Sequence, residues 1–320
     1  MIPEFPDADF HRTLRMSPRC GHDCSHFGRR FPGVDGKWRR PDVGVTLPRM
    51  NDVLGYEGKH VVVTGAASGM GEQVARICHE LGATVTALDL KPVSAPVKTS
   101  LTLDLLEQAS IDGVVAEIDG PVDSVFSCAG LPGPPFTDVQ TATVNFIGAR
   151  QLIEGLLPKM PEDASISCIA SGAGVGWQQE LETFAPLLAT ETFADAVAWC
   201  EENAEVAFPF GGYRMSKVVV NQYVAKVCAT YGERGVRINC LNPGPTATAM
   251  MPAFEENAGK ATIENALGVI HRYSQPEEQA WPMVCLNSPR FSYVTGEALW
   301  VDGGFLAMLS TGSHPGFAMG

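Results

Sequence analysis

The chain has 320 residues, 45% of them hydrophobic and 18% charged, with a net charge of −13 at neutral pH. That composition supplies a sizeable globular core, and the acidic balance argues against nucleic acid or an anionic membrane surface as partner, because both call for basic patches. No apolar run reaches the ~18 residues of a membrane span, and the N-terminus lacks the apolar stretch of a secretory signal.

Residues 1–49 carry nine Lys/Arg against six Asp/Glu, a local charge of +3 that leaves −16 for the remainder. Rich in Pro, Gly and Arg and without a sustained apolar period, they are expected to form a disordered basic leader. Residues 50–320 then read as one domain. CGHDCSH in the leader (Cys20, His22, Cys24, His26) has the ligand types of a zinc site. Its C-x3-C and H-x3-H spacings overlap, and no second cluster follows to close a fold around an ion, so no metal is expected. Nine cysteines lie along the chain without a disulfide framework. Cys128, Cys168 and Cys240 fall in strand-like runs that suit buried thiols, which implies a reducing, cytoplasmic compartment.

From residue 58 the pattern becomes regular. Strand-like runs occupy 60–64, 84–90, 101–105, 122–130, 164–171, 235–242 and 297–304. A helix-like segment reaches Leu81, and amphipathic segments cover 107–118, 142–158, 213–231 and 276–287. This alternation predicts an α/β fold: one doubly wound, Rossmann-type parallel sheet with helices on both faces. Such sheets bind ligands at the carboxyl ends of their strands.

The first of those ends carries TGAASGMG (64–71), in which Gly65, Gly69 and Gly71 follow a G-x3-G-x-G spacing. Glycines there let the backbone turn sharply and approach a pyrophosphate, which then rests on the N–H groups of the helix N-terminus. At the end of the second strand, Asp89 lies 24 residues after Gly65. Its carboxylate can accept hydrogen bonds from ribose hydroxyls and would repel a 2′-phosphate. Ala66, Ala67 and Ser68 offer no cation to welcome one, so NAD is expected over NADP. Further on, GGYRMSKVVVNQY (211–223) sets Tyr213 and Lys217 at i and i+4, on one helical face and roughly 5–6 Å apart. A phenol beside an ammonium can serve as an acid–base device.

These motifs, in this order, resemble the short-chain dehydrogenases/reductases from about Gly58 to Phe305. The matching elements are TGAASGMG, Asp89, LDL (103–105), CAG (128–130), VN (144–145), Ser171, YRMSK (213–217), NPGPTAT (242–248) and VDGG (301–304). The family's usual N-N-A-G is replaced by Ser127-Cys128-Ala129-Gly130, a change at a sheet-stabilising position. The resemblance implies four catalytic residues. Tyr213 is the proton-transferring group, with a phenol value lowered by Lys217 and by the positive nicotinamide ring. Lys217 also binds the nicotinamide ribose. Ser171 holds the substrate oxygen, and is preferred over Ser165 and Ser167 because it ends its strand directly before Gly172-Ala173-Gly174. Asn145 holds a water that relays protons to Lys217. The implied NAD contacts are Gly65, Ser68, Gly69, Met70 and Gly71, then Asp89, Asp104 and Leu105. Cys128, Ala129, Gly130, Pro243, Gly244, Thr246 and Thr248 complete them, with Tyr213 and Lys217.

Ser171 and Tyr213 are 42 residues apart, whereas the family usually separates them by about a dozen. The extra segment, 177–210, holds seven Asp/Glu and no Lys/Arg. Leu181, Phe184, Leu188 and then Phe193, Val197, Cys200 recur at helical intervals on either side of Pro186, so two short helices are expected beside the active-site mouth. A similar insertion marks the branch with bacterial 3α-hydroxysteroid dehydrogenase/carbonyl reductases, which the coniferyl-alcohol dehydrogenases resemble. Such an insertion can block the helix pairing that builds family tetramers, so a homodimer is expected. Pocket candidates are Leu131, Trp177, Phe208, Phe210, Met250, Met251 and Phe254, which suit a bulky apolar alcohol or ketone. A hydroxysteroid-like secondary alcohol is the expected substrate, and an aromatic primary alcohol the alternative. A non-catalytic NAD-binding sensor or scaffold would typically have lost the tyrosine or the lysine; both are kept.

Overall fold

The computed structural model describes residues 52–314; the basic leader and its CGHDCSH motif lie outside them. Seven strands form one all-parallel sheet in the order β3-β2-β1-β4-β5-β6-β7. They are β1 His60–Thr64, β2 Thr84–Asp89, β3 Thr99–Thr102, β4 Ser124–Ser127, β5 Ser165–Ile169, β6 Arg237–Pro243 and β7 Ala298–Val301. The apolar runs of β1, β4, β5 and β6 are buried on both faces, as a parallel sheet sandwiched between helices requires. Strand order reverses between β1 and β4, which leaves a crevice at their carboxyl ends.

In chain order the helices are α1 Gly69–Glu80, α2 Gln108–Glu117, α3 Asp138–Ala142, α4 Gly148–Leu156, α5 Leu181–Leu188, α6 Phe193–Glu202, α7 Ala204–Ala207, α8 Gly211–Gly232, α9 Met251–Ala258, α10 Lys260–Asn265, α11 Pro276–Asn287 and α12 Phe305–Ser310. Successive strand residues serve opposite faces. Val62, Val125 and Ile166 join Leu152 of α4 and Val218 of α8 in one core, while Val61, Val63 and Val85 join Val74 of α1 and Ala280 of α11 in the other. The doubly wound sheet read from the sequence is the one the chain builds. Among the described residues no helix is long and apolar enough to cross a membrane.

Several boundaries differ from the sequence reading. The third strand ends at Thr102, so Asp104 and Leu105 follow it in a turn. There Asp104 Oδ1 accepts from the Leu106 amide at 2.9 Å, the local bond that makes Asp a turn residue. The helix expected from 142 begins at Asp138 behind a Thr137–Gln140 capping box. It loosens into a π-helical stretch over Thr143–Ile147 before α4. Pro186 lies inside α5, where it removes one backbone hydrogen bond, and the helix stops two residues later. Leu181 is exposed while Phe184 and Leu187 carry the burial, so the apolar face of α5 is offset from the expected one. Helices α9, α10 and α12 were not expected. None buries a residue fully, so they leave no apolar stripe to read.

Candidate active site

α8 begins against α3, where the Gly212 amide donates to Asp138 Oδ1 at 2.6 Å. The i, i+4 geometry then brings the Lys217 ammonium 5.5 Å from the centre of the Tyr213 ring. Lys217 is only 3% exposed and donates to the Ile169 carbonyl at the end of β5, at 3.0 Å. Burial lowers its value to about 8, with the thiols of Cys168, Cys128 and Cys240 pulling the other way. Burial likewise raises the Tyr213 phenol to about 12, against a lowering hydrogen bond with Ser171. The lowered phenol read from the i, i+4 spacing is therefore not present in the protein alone. Desolvation of the phenolate outweighs what its neighbours return.

Ser171 stands two residues beyond β5 and caps the short turn Gly172–Gly174, its Oγ accepting from the Ala173 amide at 3.1 Å. Its own amide donates to Asn242 Oδ1 at 3.3 Å. Ser165 and Ser167 instead point into the body of the protein, donating to the Asn287 carbonyl and to Asn287 Oδ1, each at 2.7 Å. Asn145 sits in the π-helical stretch and is buried. Its Oδ1 accepts from the Leu131 amide at 2.6 Å, and its Nδ2 donates to the Leu131 carbonyl at 3.0 Å and to Ser216 Oγ at 3.1 Å. The amide side chain thus ties the chain after Gly130 to α8.

The glycine-rich turn has no room for side chains. A Cβ on Gly65, whose φ is +69°, would come within 2.8 Å of Ala129 Cα, and one on Gly71 would strike the Gly65 carbonyl oxygen. Ser68 sits at the N-cap of α1 with its hydroxyl unused in capping, so the helix N-terminus keeps donors for an anion. Asp89, at the end of β2, accepts from the Ala67 amide at 2.9 Å and from Lys91 N at 2.8 Å. Thr248 borders the same crevice, 3.4 Å from where a Cβ on Gly69 would stand. Pro243 closes β6, the Gly244 amide donates to the Val301 carbonyl at 3.0 Å, and buried Thr246 donates to the Gly244 carbonyl at 2.9 Å. Met70 packs against the second core and Leu105 is buried in the first. A glycine cradle, a helix N-terminus with donors to spare and a carboxylate at the next strand end fit a dinucleotide.

Thr64 was overlooked as a site residue. Fully buried, its Oγ1 accepts from the amides of Cys128 and Ala129 at 3.0 and 3.1 Å, which pins the end of β4 to β1 at the crevice. A hydroxyl closing an apolar strand was the available signal. The Cys128 Sγ lies 4.0 Å from Met283 Sδ, and burial pushes its thiol well up.

Of the pocket candidates, Phe254 on α9 covers Tyr213, ring centres 4.8 Å apart. Helix α9 is held by Asn257 Nδ2 donating to the Pro134 carbonyl at 3.3 Å and by Tyr273 OH donating to Glu255 at 2.7 Å. Trp177 and Phe208 pack against the core instead. Phe210 is exposed beneath the Arg214 guanidinium, which pairs with Glu180 at 2.6 and 3.2 Å. Met250, at the N-cap of α9, and Met251, its first residue, are half-buried.

A parallel sheet with a dinucleotide cradle at its switch point and a Ser–Tyr–Lys cluster beside it defines a class of nicotinamide-dependent oxidoreductase. Residues 59–185 match the family described as short chain dehydrogenase, and residues 181–306 match the one described as Enoyl-(Acyl carrier protein) reductase. Coniferyl-alcohol dehydrogenase of Pseudomonas sp. (strain HR199 / DSM 7063) is 27% identical over 247 residues, spanning 77% of this chain and 96% of that protein. The 3-alpha-hydroxysteroid dehydrogenase/carbonyl reductase of Comamonas testosteroni is 29% identical over 260 residues, 78% and 97% of the two chains. The crystal structure of the 3-alpha-hydroxysteroid dehydrogenase from Pseudomonas sp. B-0831 complexed with NADH shares the fold, with a TM-score of 0.68 at 24% identity over 79% of this chain and 99% of that one. The chain belongs to the short-chain dehydrogenases/reductases. It is an oxidoreductase of the alcohol/ketone type with a site for a nicotinamide dinucleotide.

Proposed function

We propose that the protein interconverts a bulky, hydroxysteroid-like secondary alcohol and its ketone, using NAD. The observation that carries this reading is the buried Lys217 ammonium 5.5 Å from the centre of the Tyr213 ring, with the Ser171 hydroxyl acting on the same phenol. In oxidation, the Tyr213 phenolate takes the carbinol proton while Ser171 donates to the substrate oxygen. In reduction, the phenol returns that proton. Bound nicotinamide supplies the hydride acceptor or donor. Lys217 would hold the nicotinamide ribose, and its charge favours the phenolate. Asn145 keeps Leu131 and α8 in register beside it. The dinucleotide would be held by Gly65, Ser68, Gly69, Met70 and Gly71, by Cys128, Ala129 and Gly130, and by Thr246 and Thr248.

Asp89 supports NAD over NADP, because a 2′-phosphate placed there would meet a carboxylate. Phe254 above Tyr213, with the methionines at the start of α9, supports an apolar ring substrate. The aromatic-alcohol reading has a specific point in its favour too: the similar coniferyl-alcohol dehydrogenase. The seven described cysteines are all free, which supports a reducing, cytoplasmic setting for the domain.

Absorbance at the reduced-nicotinamide band separates the readings. Hydroxysteroid and coniferyl-type alcohols are supplied in parallel, each with NAD and with NADP. Turnover of the steroid panel with NAD is expected; turnover of neither panel defeats both substrate readings. Tyr213→Phe is expected to abolish turnover while dinucleotide binding persists, which separates an enzyme from a sensor or scaffold.

A further inference from the structure

Behind Ser171 and Lys217 lies a second polar pair with no part in the chemistry just described. Asn221 continues the Tyr213, Lys217 series at i+8 on α8, and Asn242 is the penultimate residue of β6. They are 1% and 0% exposed. Asn221 Nδ2 donates to the Lys217 carbonyl at 2.8 Å and to Asn242 Oδ1 at 3.0 Å. Asn242 Nδ2 donates back to Asn221 Oδ1 at 2.9 Å, and Asn242 Oδ1 also accepts from the Ser171 amide at 3.3 Å. The Cys240 thiol donates to Asn221 Oδ1 at 3.2 Å.

The orientation of both amides is forced by backbone groups that have one sense only. The Lys217 carbonyl can only accept, so Asn221 must present nitrogen to it; the Ser171 amide can only donate, so Asn242 must present oxygen. The reciprocal bonds between the two side chains then follow without freedom to flip. The turn after Ser171 is fitted to the same pair. A Cβ on Gly174 would lie 2.6 Å from Asn221 Nδ2, so only glycine lets that turn lie against the pair.

We propose that the Asn221–Asn242 amide pair is a positioning device that sets the Ser171 turn of β5 against the Tyr213–Lys217 segment of α8. The inference rests on the acid–base reading of the site. Three separate elements, β5, β6 and α8, must register for the Ser171 hydroxyl to reach the phenol. The pair bonds to all three. In the buried site an unpaired amide is costly, so the register is held tightly. A displacement of about 1 Å in such a constellation can cost on the order of 100-fold in rate.

The test uses the full chain with Asn242→Ala, Ser171→Ala and the double variant, and with Asn221→Ser as the milder perturbation should Asn242→Ala fail to fold. The expected result is a kcat lower by about 10- to 100-fold for Asn242→Ala, with the dinucleotide Kd changed by no more than about twofold. The Ser171 bond lowers the Tyr213 value, so its loss should also move the rising limb of the oxidation pH profile to higher pH. In the Ser171→Ala background the same Asn change should cost nothing further, as expected of groups acting through one another. An unshifted pH limb, an equal loss in both backgrounds, or a loss that only follows the folded fraction overturns the proposal. Full activity in Ser171→Ala would instead sink the acid–base reading on which it rests.

Discussion

At the residue scale, burial decides the chemistry of the site before any ligand arrives. Lys217 has a folded value of about 8 against 10.5 for the exposed group. Below pH 8 both folded and unfolded chains hold the proton, and the folded one bears a desolvation cost of about 3 kcal/mol. Between pH 8 and 10.5 the folded chain has released its proton and the unfolded chain has not, so stability rises with pH over that window. Lys217→Met should therefore raise Tm at pH 7 by a few degrees while turnover is lost; a Tm that falls would show that the ammonium contributes net stability through Ile169. Tyr213 obeys the opposite sign. Its value of about 12 lies above the working range, so the phenolate fraction, and with it kcat/KM for alcohol oxidation, should climb between pH 6 and 8, where Lys217 keeps its charge. The reductive direction, which consumes the protonated phenol, should not climb. Equal pH profiles in both directions would remove Tyr213 from the base role.

At the scale of elements, legibility followed burial. β1, α8 and α11 carry strong apolar patterns and lie where the sequence places them. Tyr213, Lys217, Ser171 and the glycines were readable because their chemistry demands fixed spacing within one element or one turn. Thr64 and the Asn221–Asn242 pair were not, because Thr64 meets amides 64 and 65 residues away, the two asparagines are 21 residues apart and Asn242 meets Ser171 across 71, and only the sheet order brings them together. The raised phenol of the protein alone was not legible for a related reason: i, i+4 spacing shows the ammonium but not the desolvation around it. Helix α9 left no pattern at all, since its one telling contact is Phe254 on Tyr213. That contact carries a prediction. Phe254→Ala removes the apolar wall over the phenol, so KM for a ring-bearing alcohol should rise by roughly 10-fold, about the effect of losing 1.4 kcal/mol of uniform binding, with kcat nearly kept. A kcat that collapses while KM holds would instead make Phe254 part of the constellation that positions Tyr213.

At the scale of the molecule, the acidic insertion packs against the chain's own helices. Phe184, Leu187, Ala196 and Cys200 are buried in the core they share with Val218 and Val219 of α8. Arg150 of α4 donates to the Thr190 hydroxyl at 3.1 Å and to the Thr190 carbonyl, and Lys226 of α8 donates to the Leu188 carbonyl at 3.1 Å. The insertion thus packs on the sides of α4 and α8, and we expect it to keep a second copy from pairing there. Another surface remains open. Among the described residues β7 pairs only with β6, and an unpaired strand edge is a ready template for a further chain. Trp281 of α11, Phe291 and Tyr293, the last two preceding β7 in the chain, also leave aromatic surface exposed. We expect a homodimer with its two-fold axis on this side. Sedimentation should give a dimer for the wild type and a monomer of unchanged circular dichroism for Trp281→Arg combined with Tyr293→Arg. A stable wild-type tetramer would mean that the insertion leaves the α4–α8 face open after all, and a double variant that stays dimeric would move the contact away from β7.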